Sequence, residues 1–172
     1  CTPCDGGSFR AEPNGTSCEA CPRGYVCPPG ASAPLPCEAG SFSNTSSLTA
    51  KEQCFDCPPG SSCTTASIAP TLCSPGSHAS AAKSSRCVLC PSGSYQDEFN
   101  ATACKACGAG FFCPIGASLK LAPTCEPGTF ANLTDPDGEP ECFDCAPGYA
   151  CAGGAAQPMA CNPGHYANSS RS

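Results

Sequence analysis

Tryptophan is absent from this chain of 172 residues, methionine occurs once, and aromatic and charged residues reach only 7% and 13%. Large apolar side chains are therefore too few to offset the conformational entropy of folding, which excludes an ordinary hydrophobic core. Half-cystines supply more than a quarter of the nominal 40% hydrophobic content. No apolar run approaches the ~20 residues that span a bilayer, so membrane attachment is expected only through polypeptide outside this segment. Eight basic residues stand against fourteen acidic ones, a net charge of −6, and they are scattered. Phosphate backbones need clustered Lys and Arg, so no nucleic-acid partner is expected. Only His78 and His165 could serve as imidazole bases, and no Ser/His/Asp set can be assembled by spacing. The chain is expected not to be an enzyme and to carry no cofactor or metal beyond N-linked glycans.

Cysteine (20), proline (20) and glycine (18) fill the space. Cysteine above ~8–10% marks a disulfide scaffold. A Cys-x-x-Gly turn recurs at Cys4, Cys21, Cys37, Cys57, Cys73, Cys90, Cys107, Cys125, Cys145 and Cys161. A glycine fixed three residues after a cysteine suggests positive φ in a tight turn, with a preceding proline helping to set it. In one kind of turn the next cysteine follows after two residues, as in CPRGYVC, CPPGSSC, CGAGFFC and CAPGYAC. In the other, a small or polar residue and then an aromatic follow: Phe9, Phe42, Tyr95, Phe130 and Tyr166, with His78 in the aromatic place once.

A longer period lies above this one. Cys1, Cys4, Cys18, Cys21 and Cys27 recur 86 residues on at Cys87, Cys90, Cys104, Cys107 and Cys113. Cys37, Cys54, Cys57, Cys63 and Cys73 recur 88 residues on at Cys125, Cys142, Cys145, Cys151 and Cys161. Residues 1–86 and 87–172 thus read as two copies of a ten-cysteine unit, and the chain as an excerpt from a longer array. No 3.6-residue apolar period runs over ten residues, so essentially no helix is expected. Ser8–Arg10, Ser41–Ser43, Ser94–Gln96 and Thr129–Ala131 suggest short strands in hairpins, and the Pro-interrupted pieces after Cys27, Cys63, Cys113 and Cys151 read as extended connectors. The fold class expected is a small disulfide-rich repeat array, an elongated ladder of modules with short β-hairpins.

The paired CxxC arms admit zinc or disulfides. Five of the six asparagines, Asn14, Asn44, Asn100, Asn132 and Asn168, lie in N-x-[ST], all in long turns and in equivalent registers. Glycan acceptors imply a secreted or cell-surface chain and hence disulfides. One pairing closes local loops: Cys4–Cys18, Cys37–Cys54, Cys73–Cys87, Cys90–Cys104 and Cys125–Cys142, with Cys21–Cys27, Cys57–Cys63, Cys107–Cys113 and Cys145–Cys151. Cys1 and Cys161 then take partners beyond the segment. An interlaced scheme, Cys21–Cys37 with Cys27–Cys54, is the alternative. Two other motifs have bland readings: the acidic run at Asp135, Asp137, Glu139 and Glu141 lacks the full calcium-loop ligand set, and CFDC at Cys54 and Cys142 lacks the helix start of a redox motif. The aromatics Phe9, Tyr25, Phe42, Tyr95, Phe111, Phe112, Phe130, Tyr149 and Tyr166 are expected to cover the disulfides as small apolar centres.

CEAGSFSN…CFDC and CEPGTFAN…CFDC resemble the ephrin-receptor-like cysteine-rich repeat, with a looser similarity to tumour-necrosis-factor-receptor-type modules. The resemblance runs along the whole chain and implies an extracellular, elongated array of the kind found in receptor ectodomains, matrix-like proteins and large surface proteins. His78 in the aromatic place, CPPGSSC without an aromatic, and the Cys73 turn without a sequon depart from it. The expected role is structural, a fibre, filament or surface-appendage subunit whose partners are copies of itself or other extracellular proteins. A receptor or adhesion ectodomain binding a protein ligand is the alternative.

Overall fold

The computed structural model of the protein describes residues 1–108, 111–122, 125–132, 141–152 and 157–167. Sixteen short strands occur there: β1 Ser8–Phe9, β2 Glu19–Ala20, β3 Tyr25–Val26, β4 Leu35–Pro36, β5 Ser41–Phe42, β6 Phe55–Asp56, β7 Ser61–Ser62, β8 Thr71–Leu72, β9 Ser77–His78, β10 Val88–Leu89, β11 Ser94–Tyr95, β12 Lys105–Ala106, β13 Thr129–Asn132, β14 Glu141–Asp144, β15 Tyr149–Ala150 and β16 Met159–Ala160. They pair consecutively into two-stranded sheets. The only helical element among the described residues is a three-residue 3-10 turn, Lys51–Gln53. The fold is therefore an array of small β-hairpins closed by nine disulfides, essentially without helix.

The CxxG turn starts each hairpin. The nine described glycines of the ten turns named above adopt positive φ, from 78° at Gly93 to 91° at Gly40, a region where a Cβ is costly. The residue after the glycine folds back to the carbonyl three residues earlier, as in Ser41 N–H to Glu38 O at 3.0 Å. Its hydroxyl reinforces the same bond: Ser8 to Asp5, Ser41 to Glu38, Ser61 to Pro58, Ser94 to Pro91 and Thr129 to Glu126, all at 2.7–2.8 Å. A hydroxyl recurring there is thus a turn clasp, a role that its small size and polarity alone do not reveal.

The proline-interrupted segments do not run on as connectors. Leu35 pairs with Val26, Thr71 with Ser62 and Met159 with Ala150, so these segments return as second strands. Leu121 likewise bonds Phe112. The turn glycine is the cause. Its carbonyl accepts from the cysteine ending the segment, Cys37 to Gly24, Cys73 to Gly60 and Cys161 to Gly148, as Cys21 bonds Gly7 in a long turn. Proline falls where no ladder N–H is required.

Two compact units are distinguished: Cys1–Ser74 with His78–Val88 and Phe99–Ala103, and Pro75–Ser77 with Leu89–Glu98 and Cys104–Ser172. In each, the buried residues are chiefly half-cystines. Cys21, Cys27, Cys37, Cys57, Cys63 and Cys73 in the first, and Cys90, Cys113 and Cys145 in the second, are completely buried. Val26, Leu48 and Cys37 form a small cluster in the first, Cys107, Cys113 and Ala117 one in the second. The aromatics expected to cover the disulfides are not buried: Phe9, Tyr25, Phe42, Tyr95, Phe112 and Phe130 are half-exposed, and Phe111, Tyr149 and Tyr166 exposed. Cystine fills the centre itself, leaving the rings on its flank. Phe42 pairs with Phe55 across β5 and β6 (centroids 5.8 Å apart), and Phe130 with Phe143 across β13 and β14 (6.1 Å).

Successive hairpins are tied by a repeating set of main-chain hydrogen bonds. The turn glycine donates to the next hairpin, Gly7 to Cys27, Gly24 to Ser43, Gly40 to Cys63 and Gly60 to Ala79 in the first unit, and Gly93 to Cys113 in the second. A left-handed residue at the tip of each next hairpin donates back to a turn-opening cysteine carbonyl: Gly30 to Cys4, Ser47 to Cys21, Ala66 to Cys37, Lys83 to Cys57 and Asn100 to Cys73. The carbonyls of Ser47, Ala66, Lys83 and Asn100 press against Gly7, Gly24, Gly40 and Gly60, two hairpins back, where a Cβ would collide with backbone.

Gly40→Ala and Gly164→Ala separate these constraints. Both sites have a similar φ, 91° and 88°, but Lys83 blocks a Cβ at Gly40, whereas among the described residues nothing lies within 4 Å of one at Gly164. Gly164→Ala is expected to cost about 1–2 kcal/mol of backbone strain alone. Gly40→Ala is expected to cost several-fold more in thermal or denaturant unfolding; equal losses would refute the packing role.

Candidate functional site

The nine disulfides are Cys4–Cys18, Cys21–Cys27, Cys37–Cys54, Cys57–Cys63, Cys73–Cys87, Cys90–Cys104, Cys107–Cys113, Cys125–Cys142 and Cys145–Cys151, with Cα atoms 5.6–6.0 Å apart. Each closes a local loop and none interlaces. In the chain-entropy account a ~15-residue loop contributes about 3 kcal/mol. The pairing also settles the chemistry of the CxxC motifs. Cys54 bonds Cys37 while Cys57 bonds Cys63, so the two cysteines of CFDC serve different loops and do not form a CxxC redox disulfide. Cys142 and Cys145 are split in the same way. Bonded sulfurs offer no thiolate to zinc. Cys1, exposed, and Cys161, half-buried, are the two cysteines outside disulfides.

The sequon asparagines divide by backbone. Asn14 and Asn100 are exposed and left-handed, φ 61° and 59°, at the hairpin-tip position described above. Asparagine tolerates that region better than most residues, so turn geometry alone gives a reason for its choice there. Asn44 is exposed without that constraint. Asn132 ends β13, whereas Asn168 and the acidic residues Asp135, Asp137 and Glu139 lie outside the described residues; Glu141 opens β14. His78 is half-buried in β9 and His165 exposed.

Each unit carries a hollow on its described surface. In the first unit a cavity of about 270 Å³ is lined by Glu38, Ser41, Lys51, Asp56 and Lys83 among others. Two ion pairs line it, Lys51 Nζ to Glu38 Oε1 at 2.6 Å and Lys83 Nζ to Asp56 Oδ1 at 3.3 Å, and Glu52 lines it too. In the second unit an open hollow of about 580 Å³ is lined by Phe130, Phe143, Asp144, Ala146, Tyr149 and Pro158. Return strands bear exposed apolar side chains: Leu35, Phe55, Leu72 and Val88 in the first unit, and Leu89, Phe143 and Met159 in the second. In the first hollow the Ser41 hydroxyl donates to the Glu38 carbonyl and both lysines are ion-paired, and the exposed return-strand side chains offer contact surface.

Hydrogen bonding and charge from Lys51 hold the Glu38 carboxyl below its ordinary range, and Lys105 does the same for Asp97. The lysines are raised correspondingly. A depressed carboxyl contributes fully above its unfolded value and loses that contribution as pH falls through its folded value. A raised lysine contributes fully below its unfolded value and loses it as pH rises through the folded one. All four groups are solvent-exposed, so these contributions are small.

The class of protein this defines is a cysteine-rich, non-helical hairpin module of extracellular type. Residues 76–121 match the family model described as tyrosine-protein kinase ephrin type A/B receptor-like, a short stretch rather than the whole chain. No curated protein matches the chain. Among the described residues, no helix is long and apolar enough to cross a membrane. Unfolding tests the site chemistry with three treatments. Acidification to about pH 2, where carboxylates protonate, is expected to lower the melting temperature by only a few degrees, and EDTA to leave it unchanged. Reduction by dithiothreitol is expected to abolish the transition; unfolding by EDTA would restore the zinc reading.

Proposed function

We propose that the chain is part of an extracellular structural glycoprotein, a fibre, filament or surface-appendage subunit built by repeating the ten-cysteine unit of residues 1–86 and 87–172. The observation that carries this reading is the recurrence of one hydrogen-bonding register between successive hairpins, in which the N–H groups of Gly7, Gly24, Gly40, Gly60, Gly76, Gly93, Gly128 and Gly148 each donate to the next hairpin. Such a register transmits position from hairpin to hairpin, so stability follows from nearest neighbours, as in other repeat proteins. Glycans on the long turns would form a hydrated coat, leaving contacts to the turns near Cys21, Cys57, Cys107 and Cys145. The second reading, a receptor or adhesion ectodomain, draws support from the match at residues 76–121 and from the exposed apolar return strands.

Site-specific glycan mapping with density separates the two. Sugar is expected on at least four of Asn14, Asn44, Asn100, Asn132 and Asn168, distributed around the molecule. Sugars confined to one side, opposite a bare face of the ~800 Å² per partner that stable interfaces need, would overturn the structural reading in favour of ligand binding.

A further inference from the structure

The aromatic hollow of the second unit repeats a place where the chain holds an ammonium of its own. Phe130 lies five residues after Cys125 as Tyr95 does after Cys90, and Tyr149 four after Cys145 as Phe111 does after Cys107. Pro158 lies seven after Cys151 as Lys120 does after Cys113. Lys120 Nζ stands 4.8 Å from the centre of the Phe111 ring and 5.9 Å from that of Tyr95. Ring faces carry negative charge density, which attracts an alkylammonium at such distances. In the hollow the two rings remain, with Tyr149 43% exposed, and proline takes the place of the lysine.

The opposite strand changes as well. β12 sets Lys105 opposite Tyr95 and Ala106 opposite Ser94, whereas β14 sets Phe143 opposite Phe130 and Asp144 opposite Thr129. Two ammonium groups thus give way to a proline and a third ring, and a methyl group to a carboxylate. Each exchange favours a cation supplied from outside. Asp144 makes an interaction of its own, and the two oxygens of a carboxylate accept more than one donor. The same face is open in the interior of the chain. Phe42, Phe55 and Asp56 repeat Phe130, Phe143 and Asp144, and Phe55 is 54% exposed with hairpins on both sides of it in the sequence. There an ammonium does meet the carboxylate, Lys83 Nζ lying 3.3 Å from Asp56 Oδ1, but Ser61 stands where Tyr149 does and the third ring is missing.

We propose that the hollow lined by Phe130, Phe143, Asp144, Tyr149 and Pro158 binds a lysine side chain of another protein. The alkyl stem packs on Phe130, Phe143 and Pro158, and the ammonium lies between the Tyr149 ring face and the Asp144 carboxylate. Lysine is the occupant because the chain itself lays a lysine on the equivalent pair of rings. The site is independent of the choice between filament and receptor, since either kind of contact could use it.

Titrating Nα-acetyl-lysine methylamide into the full chain, with the ring resonances of Phe130, Phe143 and Tyr149 followed by NMR, tests this. Saturable shifts of these rings are expected. The norleucine analogue, which has a similar stem without the charge, should give none. Asp144→Asn and Tyr149→Leu should each weaken binding at least ~5-fold, the size of one partly desolvated cation contact. Pro158→Lys introduces the side chain that the fold already carries at Lys120 and should abolish binding by filling the hollow, with the melting temperature unchanged. Equal binding of the norleucine analogue, tighter binding of tetramethylammonium than of the lysine derivative, affinity unmoved by Asp144→Asn or Tyr149→Leu, or no saturable shift would each overturn the proposal. Arg171, which repeats Lys83, lies outside the described residues. Binding that appears only in Arg171→Ala would also overturn it, by giving Asp144 to the chain's own guanidinium.

Discussion

At the CxxG glycine the N–H, the C=O and the missing side chain are committed at the same time. For Gly40, the N–H donates to Cys63 and the C=O accepts from Cys57. The place of its side chain is taken by the Lys83 carbonyl. Gly7, Gly24 and Gly60 repeat the arrangement with different partners. The residue must therefore be achiral for φ, bare for packing and unsubstituted at nitrogen. Only glycine meets all three conditions.

Cystine supplies what a thin core cannot. Eighteen half-cystines close nine short loops, the most buried of them filling the centre of the hairpins with sulfur where larger domains place leucine. Locality matters here. Loops of six to seventeen residues restrict each hairpin of the unfolded chain separately, so one hairpin does not depend on a distant crosslink for closure. The aromatics are then released from core duty, and cross-strand pairs such as Phe42–Phe55 sit half in solvent.

Much of this was legible in the sequence because covalent and conformational constraints leave marks at fixed spacing. The positive φ of the turn glycines, the hairpins at Ser8, Ser41, Ser94 and Thr129, and the scarcity of helix follow from Cys-x-x-Gly and from the missing 3.6 period. The return strands at Leu35, Leu72 and Met159 were not legible. Two-residue strands carry no period, and proline argues for a connector unless its missing N–H is known to face away from the ladder. The left-handed tips hid for a related reason: glycine, serine, alanine, lysine and asparagine all occupy that place. Contacts with neighbouring hairpins fix the conformation there, so residue identity carries little of the signal. How far the rings stand in solvent was not legible, because cystine fills the centres that they flank; Tyr95 does pack against the Cys107, Cys113 and Ala117 cluster.

The most direct measurement of the central claim is native-state hydrogen exchange at the turn glycines and hairpin tips. With disulfides intact, the amides of Gly7, Gly24, Gly40 and Gly60, and of Ser47, Lys83 and Asn100, should be among the slowest in the first unit. They should remain slow despite lying in turns, where amides ordinarily exchange fast. Glycine amides exchanging at unprotected rates while all nine disulfides stay closed would mean that cystine alone holds the hairpins and that the register between them is not part of the fold.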